Sequence, residues 1–347
     1  MKILYAGQLS PNDSALYRRW ALERLGHTVV PINSYGYEAK SPLVRKVVHR
    51  AQMGPGVWRL NRDVLQAAEG ERPEVFWADK LLGLWPETLE RLRGMGITTV
   101  SYMIDNAFGP RRDPGWRLYM KDIPHFDLHV VQRDSNLADY RQRGARDVIK
   151  IQTAYEPTVH FPPPDGWSDA ERTRDISFIG TAYDDRPEFL TRLWRERGLS
   201  VKVSGSAVWR ERLDAEGAAA IYTGSELYGA AYREAVWRSK INLSFLTHSN
   251  QDEFAHKSFE IAACGGFLLA EQSAGHAARF VEDEEAVFFS DFDECLAKVR
   301  QYLPDEAARA RIAAAGRARA VSSGYSNDAQ MEKIVERLER IIAHRSV

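Results

Sequence analysis

Along the first half of the chain, short apolar runs alternate with amphipathic stretches, a rhythm that predicts strands and helices in turn. Lys2–Ala6, Thr28–Ile32, Glu74–Trp77, Thr98–Ile104, Leu128–Val131 and Val148–Gln152 read as strands. Ser14–Gly26, Pro86–Gly94 and Asn136–Gly144 read as helices, and Leu43–Ala68 as a helical stretch broken at Gly54-Pro55-Gly56. A second array follows, with strands expected at Ile176–Ile179, Val201–Ser204, Ile221–Thr223, Ile241–Phe245, Phe267–Ala270 and Val287–Phe289. Strands separated by helices predict parallel sheets covered on both faces. Between the arrays, the segment YEPTVHFPPPDGWSDAERTRD carries Pro157, Pro162, Pro163 and Pro164, which exclude a helix and mark a boundary. The expected organisation is a first domain over 1–156, a linker over 157–174 and a second domain over 175–325. Residues 326–347 hold a last helix, set off by Ser322-Ser323-Gly324.

Length and composition agree with that division. A chain of 347 residues exceeds the usual single core and suggests two domains. Hydrophobic residues at 44% and charged residues at 27% are those of an ordinary soluble globular protein. Neither a long apolar run nor a signal-peptide core is present, which reads as cytoplasmic. Cys264 and Cys295 give neither a disulfide framework nor a zinc knuckle. The net charge of −1 hides an asymmetry: residues 1–156 hold 23 Lys and Arg against 18 Asp and Glu. A mildly basic first half suits an acceptor carrying phosphate or a membrane surface. Nucleic acid is not indicated, because no basic stripe with interleaved stacking aromatics appears. Arg45, Lys46, Arg50, Arg59 and Arg62 stand among Leu43, Val44, Val47, Val48, Val57 and Trp58. That segment reads either as a solvated helix face or as a peripheral contact with a membrane-linked acceptor.

The candidate chemistry centres on HKSFEIAACGGFLLAE, residues 256–271, where Glu260 stands at the mouth of a small-residue helix running into an apolar strand. Gly265 and Gly266 would let a ligand approach the main chain. A carboxylate there either accepts two hydrogen bonds from neighbouring sugar hydroxyls or simply favours a helix N-terminus. After the strand ending at Ile179, the loop from Gly180 and Thr181 to Arg186 opens a helix. Such a helix start either cradles a diphosphate, gripped by Arg186, or is a turn capped by Asp184 or Asp185. Lys257 is placed to neutralise a departing diphosphate, with His256 and His248 as further candidates for the same pocket. Asp105 follows the strand Thr98–Ile104, where it reads as a general base or as an Asx-turn residue. Asp291-Phe292-Asp293 resembles a metal-binding pair but stands directly before a helix and reads as its cap. Gly7-Gln8-Leu9-Ser10 lacks the glycine pattern of a nicotinamide site.

The 256–271 segment resembles the donor-site helix of GT-B glycosyltransferases, and its wording is similar to the CgeB-like branch of the group 1 transferases. TAYEPTVHFPP at 153–163, DISFIGTAYDDR at 175–186 and DECLAKVRQYL at 293–303 also fit that group. The resemblance implies two Rossmann-like domains facing each other across a cleft, with the C-terminal helix crossing back to the first. It implies transfer of a sugar from a UDP-, GDP- or dTDP-linked donor, with no other cofactor and no metal. The acceptor is left open among glycan, lipid-linked glycan, protein and small molecule, and so is the stereochemical course. The group brackets its site with an acid-x7-acid pair, so Glu260 would hold the ribose and Asp252, eight positions earlier, the donor sugar. Here the first acid is Asp, and Glu253-Phe254-Ala255-His256-Lys257 replaces the usual glycine-rich loop. Two alternatives stay open: a non-hydrolysing nucleotide-sugar epimerase of the same fold, and a non-catalytic nucleotide-binding or coat-associated protein.

Overall fold

Strand formation follows the apolar runs that are buried on both faces. The computed structural model describes residues 1–111 and 113–345. Its first sheet contains β1 (Lys2–Gly7), β2 (Thr28–Asn33), β3 (Val75–Asp79), β4 (Thr98–Tyr102), β5 (Leu128–Val131) and β6 (Val148–Lys150). The strands are parallel in the order β2-β1-β3-β4-β5-β6, and every residue of β3, β4 and β5 is buried. The second sheet contains β7 (Arg174–Ile179), β8 (Val201–Ser204), β9 (Ser239–Ser244), β10 (Leu268–Glu271) and β11 (Val287–Phe289). It is also parallel, in the order β11-β10-β9-β7-β8. Counted from its own first strand, each sheet reverses direction between its first and third strands, and ligands of open α/β sheets bind at the carboxyl ends beside such a reversal.

Two compact units result: Met1–Gln152 with the chain from Asn327 onward, and Thr153–Ser326. The C-terminal helix Asn327–Arg345 packs Met331, Ile334, Val335 and Leu338 into the first core. Ion pairs from Arg24 to Asp328 and from Arg337 to Asp147 fix its two halves.

Two expectations differ from the structure. Ile221–Thr223 is not a strand: Ile221 closes the helix Ala215–Ile221, and Tyr222 makes a single bridge to Val203. The Asp214 cap on Gly217 and the Ala218–Ala220 run favour helix over strand there. The segment expected as a linker is instead strapped onto the second unit. Trp167 packs edge-on against Trp237, and the carboxylate of Asp169 takes a bidentate pair from buried Arg309 at 2.8 Å. Among the described residues no helix is long and apolar enough to cross a membrane.

Candidate functional site

The loop after β9 leads into the helix His256–Ala263, whose N-cap amide, on Ala255, donates to Nε2 of buried His276 at 3.0 Å. Glu260 therefore stands on the second turn rather than at the helix mouth, and it is only 4% exposed. The helix N-terminus explanation of this acid fails with that placement, because the dipole effect fades beyond the first turn. The glycines serve the backbone: Gly265 takes φ +67° to leave the helix, and a Cβ on Gly266 would lie 2.6 Å from Val236 Cγ1. They do not open a path for a ligand, which corrects the expectation drawn from their small size.

Both oxygens of Glu260 are engaged. Lys257 Nζ donates to Oε2 at 2.8 Å, and His256 Nε2 lies 2.8 Å from Oε1. His160 Nε2 lies 3.6 Å from the same Oε1. Because the Glu156 amide donates to His160 Nδ1 at 3.0 Å, the ring proton is on Nε2, facing the carboxylate. Thr153 hydrogen-bonds His256 Nδ1 and completes the ring of polar groups. Burial raises the Glu260 pKa, but Lys257 and the two histidines outweigh it and hold the carboxyl well below the usual range. Burial pulls His160 down to about 4, so it is neutral at physiological pH. Lys257 also lies over the Tyr232 ring, 4.1 Å from its centroid, while about a third of its side chain remains exposed.

A second cluster laces the carboxyl ends of β7, β9 and β10. Arg186, expected to reach outward to a diphosphate, is buried at the reversal between β7 and β9. It donates to the Thr181 carbonyl at 3.1 Å, the Leu246 carbonyl at 2.8 Å and Thr247 Oγ1 at 3.1 Å. Its two terminal nitrogens tie these loops together, and Nε is buried without a hydrogen-bond partner among the described residues. Gly180 is likewise engaged, its amide donating to the Ser204 carbonyl and its own carbonyl accepting from Trp209 Nε1. Asp184, in the left-handed region at φ +49°, accepts from the His248 amide. His248 Nε2 pairs with Glu271 Oε1 at 2.6 Å, and Glu271 Oε2 accepts from the Leu246 amide. Asp252 accepts from Asn250 Nδ2 at 2.8 Å on this loop.

In the first unit Asp105 lies beyond the carboxyl end of β4 and pairs with Lys80 Nζ at 2.8 Å. Asp79, at the end of β3, takes both Nε and Nη2 of Arg18, at 2.7 and 2.8 Å, in a fully enclosed pair. The DFD segment does cap its helix: Asp291 Oδ1 accepts from the Glu294 amide at 2.9 Å, and Asp293 pairs with Arg192. Both cysteines are free and buried. Among the described residues no group of three or more His, Cys, Asp or Glu side chains is arranged to hold a metal ion.

The structure thus unites Glu260, Lys257 and His256, and joins Arg186 to Thr181. Thr153, Glu156 and His160 went unnoticed in the sequence because their segment reads as a proline-rich boundary. The one signal was an acid and a histidine four positions apart on either side of Pro157.

Comparison with solved structures settles the architecture. Sucrose-phosphate synthase from Thermosynechococcus elongatus matches with TM-score 0.71 at 13% identity, over 99% of this chain and 100% of that one. The chain has the GT-B fold. Anabaena Alr3699/HepE in complex with UDP-glucose matches with TM-score 0.66 at 12% identity, over 98% and 100% of the two chains. The α,α-trehalose 6-phosphate synthase of Burkholderia multivorans gives 0.64 at 12% identity, over 99% of both chains. Residues 186–336, which include the Glu260 helix, match the family model described as glycosyl transferase-like. No curated protein matches the chain.

Proposed function

We propose that this GT-B protein transfers a sugar from a nucleotide-sugar donor, and that it belongs with the CgeB-like group 1 transferases. The observation that carries the reading is the Glu260–Lys257 pair, a buried carboxylate with a counter-cation about a third exposed, inside the segment matching the glycosyl transferase-like model. Donor entry exchanges that pair. Lys257 swings to the diphosphate and Oε2 of Glu260 accepts a ribose hydroxyl, so the cation keeps an anionic partner and the carboxylate keeps a hydrogen-bond donor. His256 and His160 hold the carboxylate in place from its Oε1 side. Arg186 and Thr181 fix the loops at the sheet edge, and Asp252 is assigned to the donor sugar. HepE, which shares the fold, was captured with UDP-glucose, which favours a UDP-linked donor over GDP or dTDP.

The reaction needs no metal in this reading, since the two carboxylates of the DFD segment are taken by a helix cap and by Arg192. Asp105 is assigned to the acceptor hydroxyl as general base, supported by its position past the carboxyl end of β4.

Calorimetry and thermal shift with UDP, GDP, dTDP and their sugars test the donor. A ligand at about 100 times its Kd should stabilise the fold by roughly 2.7 kcal/mol. In the same preparations, Asp105→Asn should lower turnover by about 10²–10⁴ without changing donor affinity. A flat response to every nucleotide overturns the transferase reading, and release of an isomerised nucleotide sugar without acceptor replaces it with an epimerase.

A further inference from the structure

The helix Pro42–Ala51 in the first unit buries none of its residues. Its apolar positions nevertheless form one arc: Leu43, Val47 and Ala51 recur at four-residue spacing, and Val44 and Val48 make the adjoining row. Val48 is half-buried against its own chain, whereas Leu43 is 76% and Val47 65% exposed. Met53 and Trp58, just beyond, are also more than half exposed. A solvated helix ordinarily turns polar side chains to water, so an outward apolar edge needs an apolar medium to meet.

The charge around this edge names the medium. Residues 39–62 carry six Lys and Arg and no Asp or Glu. On the helix, Lys46 and Arg50 flank the Leu43–Val47 edge. Beside it opens a cavity of about 410 Å³ lined by Arg50, Arg111, Arg117, Trp116, Met120 and Asp113, among others. Arg117 donates to the Arg50 carbonyl at 3.1 Å, which ties the exposed helix to the cavity wall. Asp113, the one acid among the described lining residues, is engaged on both oxygens: Oδ1 lies 2.6 Å from His49 Nε2, and Oδ2 lies 3.3 Å from Arg111. The guanidinium groups of Arg50 and Arg117 remain to face an anion, in the planar geometry that suits phosphate.

We propose that this face docks onto a membrane surface rich in anionic phospholipid. Leu43, Val47 and Trp58 enter the boundary between headgroups and acyl chains, and Arg50 and Arg117 receive a lipid phosphate. A second copy of the chain is the poorer occupant, because a two-fold contact centred on this patch would set its own cations against each other. The inference does not rest on the sugar-transfer reading.

The test is flotation of the full chain with vesicles of phosphatidylcholine alone or mixed with phosphatidylglycerol. Binding should be about tenfold stronger to the anionic vesicles at low salt and should fall as salt screens it. Leu43→Ser with Val47→Ser, and separately Lys46→Glu with Arg50→Glu, should each reduce it about tenfold. All four positions are exposed, and an unchanged circular dichroism spectrum confirms folding. Trp58→Ser, on the following helix, gives the same reading should either pair disturb the 42–51 helix. Equal binding to both vesicle types, binding to neither, or wild-type binding by either pair overturns the proposal. So does self-association in light scattering that the Leu43/Val47 variant abolishes.

Discussion

Asp79 and Glu260 are both buried carboxylates at the carboxyl side of a parallel sheet, the sheets share a strand order, and each acid is met by a cation; their surroundings separate them. Arg18 grips Asp79 with two hydrogen bonds, Tyr5 adds a third at 2.5 Å, and the Arg18 side chain is 5% exposed beneath the Tyr102 ring. A Cβ on neighbouring Gly7 would lie 3.0 Å from Asp79 Cβ, so no room is left beside the pair. Glu260 has an equally enclosed carboxylate, but Lys257 and His256 are each about a third exposed. When both members of a pair are enclosed, neither can leave without stranding a charge, and the pair acts as a strut. When one member reaches water, it can be exchanged for a ligand, and the same chemistry becomes a binding site.

The sharpest break of that comparison is Asp79→Ala. It leaves Arg18 buried without its counter-charge and should lower folding stability by about 3–5 kcal/mol in urea denaturation. A loss below about 1 kcal/mol would place Asp79 in the same exchangeable class as Glu260.

Acidification should separate the two units next. Burial holds His160 and His276 in the second unit at about 4, and His129 in the first at about 4. A histidine whose folded pKa is depressed contributes stability above its unfolded value and loses it as pH falls toward the folded one. Each therefore removes up to about 1.4 kcal/mol per pH unit between about pH 6.5 and 4. Asp122 in the first unit has the opposite sign. Burial raises its carboxyl to about 9, so its folded state binds the extra proton and gains stability as pH falls through the same window. In the first unit the two groups offset; in the second the two histidines add. Hydrogen-exchange protection at pH 6.5 and pH 5, corrected for intrinsic rates, should fall in β7 and β9 and hold in β1 and β3. Equal loss in both sheets would show that the units unfold as one.

The smallest effect is expected for Glu260→Gln, which keeps the shape and the acceptor for Lys257. Nucleotide-sugar affinity should drop by about 1–3 kcal/mol in calorimetry, with about 1 kcal/mol or less lost in folding. Unaltered affinity would make Glu260 a strut like Asp79.

Much of the fold was legible in the residues. Strand spacing and apolar runs predict two parallel arrays, because period and burial are local properties of the chain. Ile221–Thr223 misled because a short apolar run reads alike as strand and as helix end, and only the sheet shows which is paired. Glu260, Lys257 and His256 fall within five residues, so one helix brings them together and the sequence could name them as a group. His160 reaches the same carboxylate from about a hundred residues away, on a segment whose prolines spoke only of a boundary.

By itself the sequence determined the two-array α/β plan, the helix that carries Glu260 and the cap role of Asp291, since each rests on neighbours along the chain. Tertiary structure alone decided which charges are free. Arg186 looked available at the start of its helix, yet three loop oxygens at the edge of the sheet claim it. Asp79 and Arg18 are 61 positions apart and drew no notice, yet they form an enclosed ion pair in the first unit. Hydrogen-bond partners and burial depend on what packs beside a side chain, and that is set by sheet order rather than by sequence position.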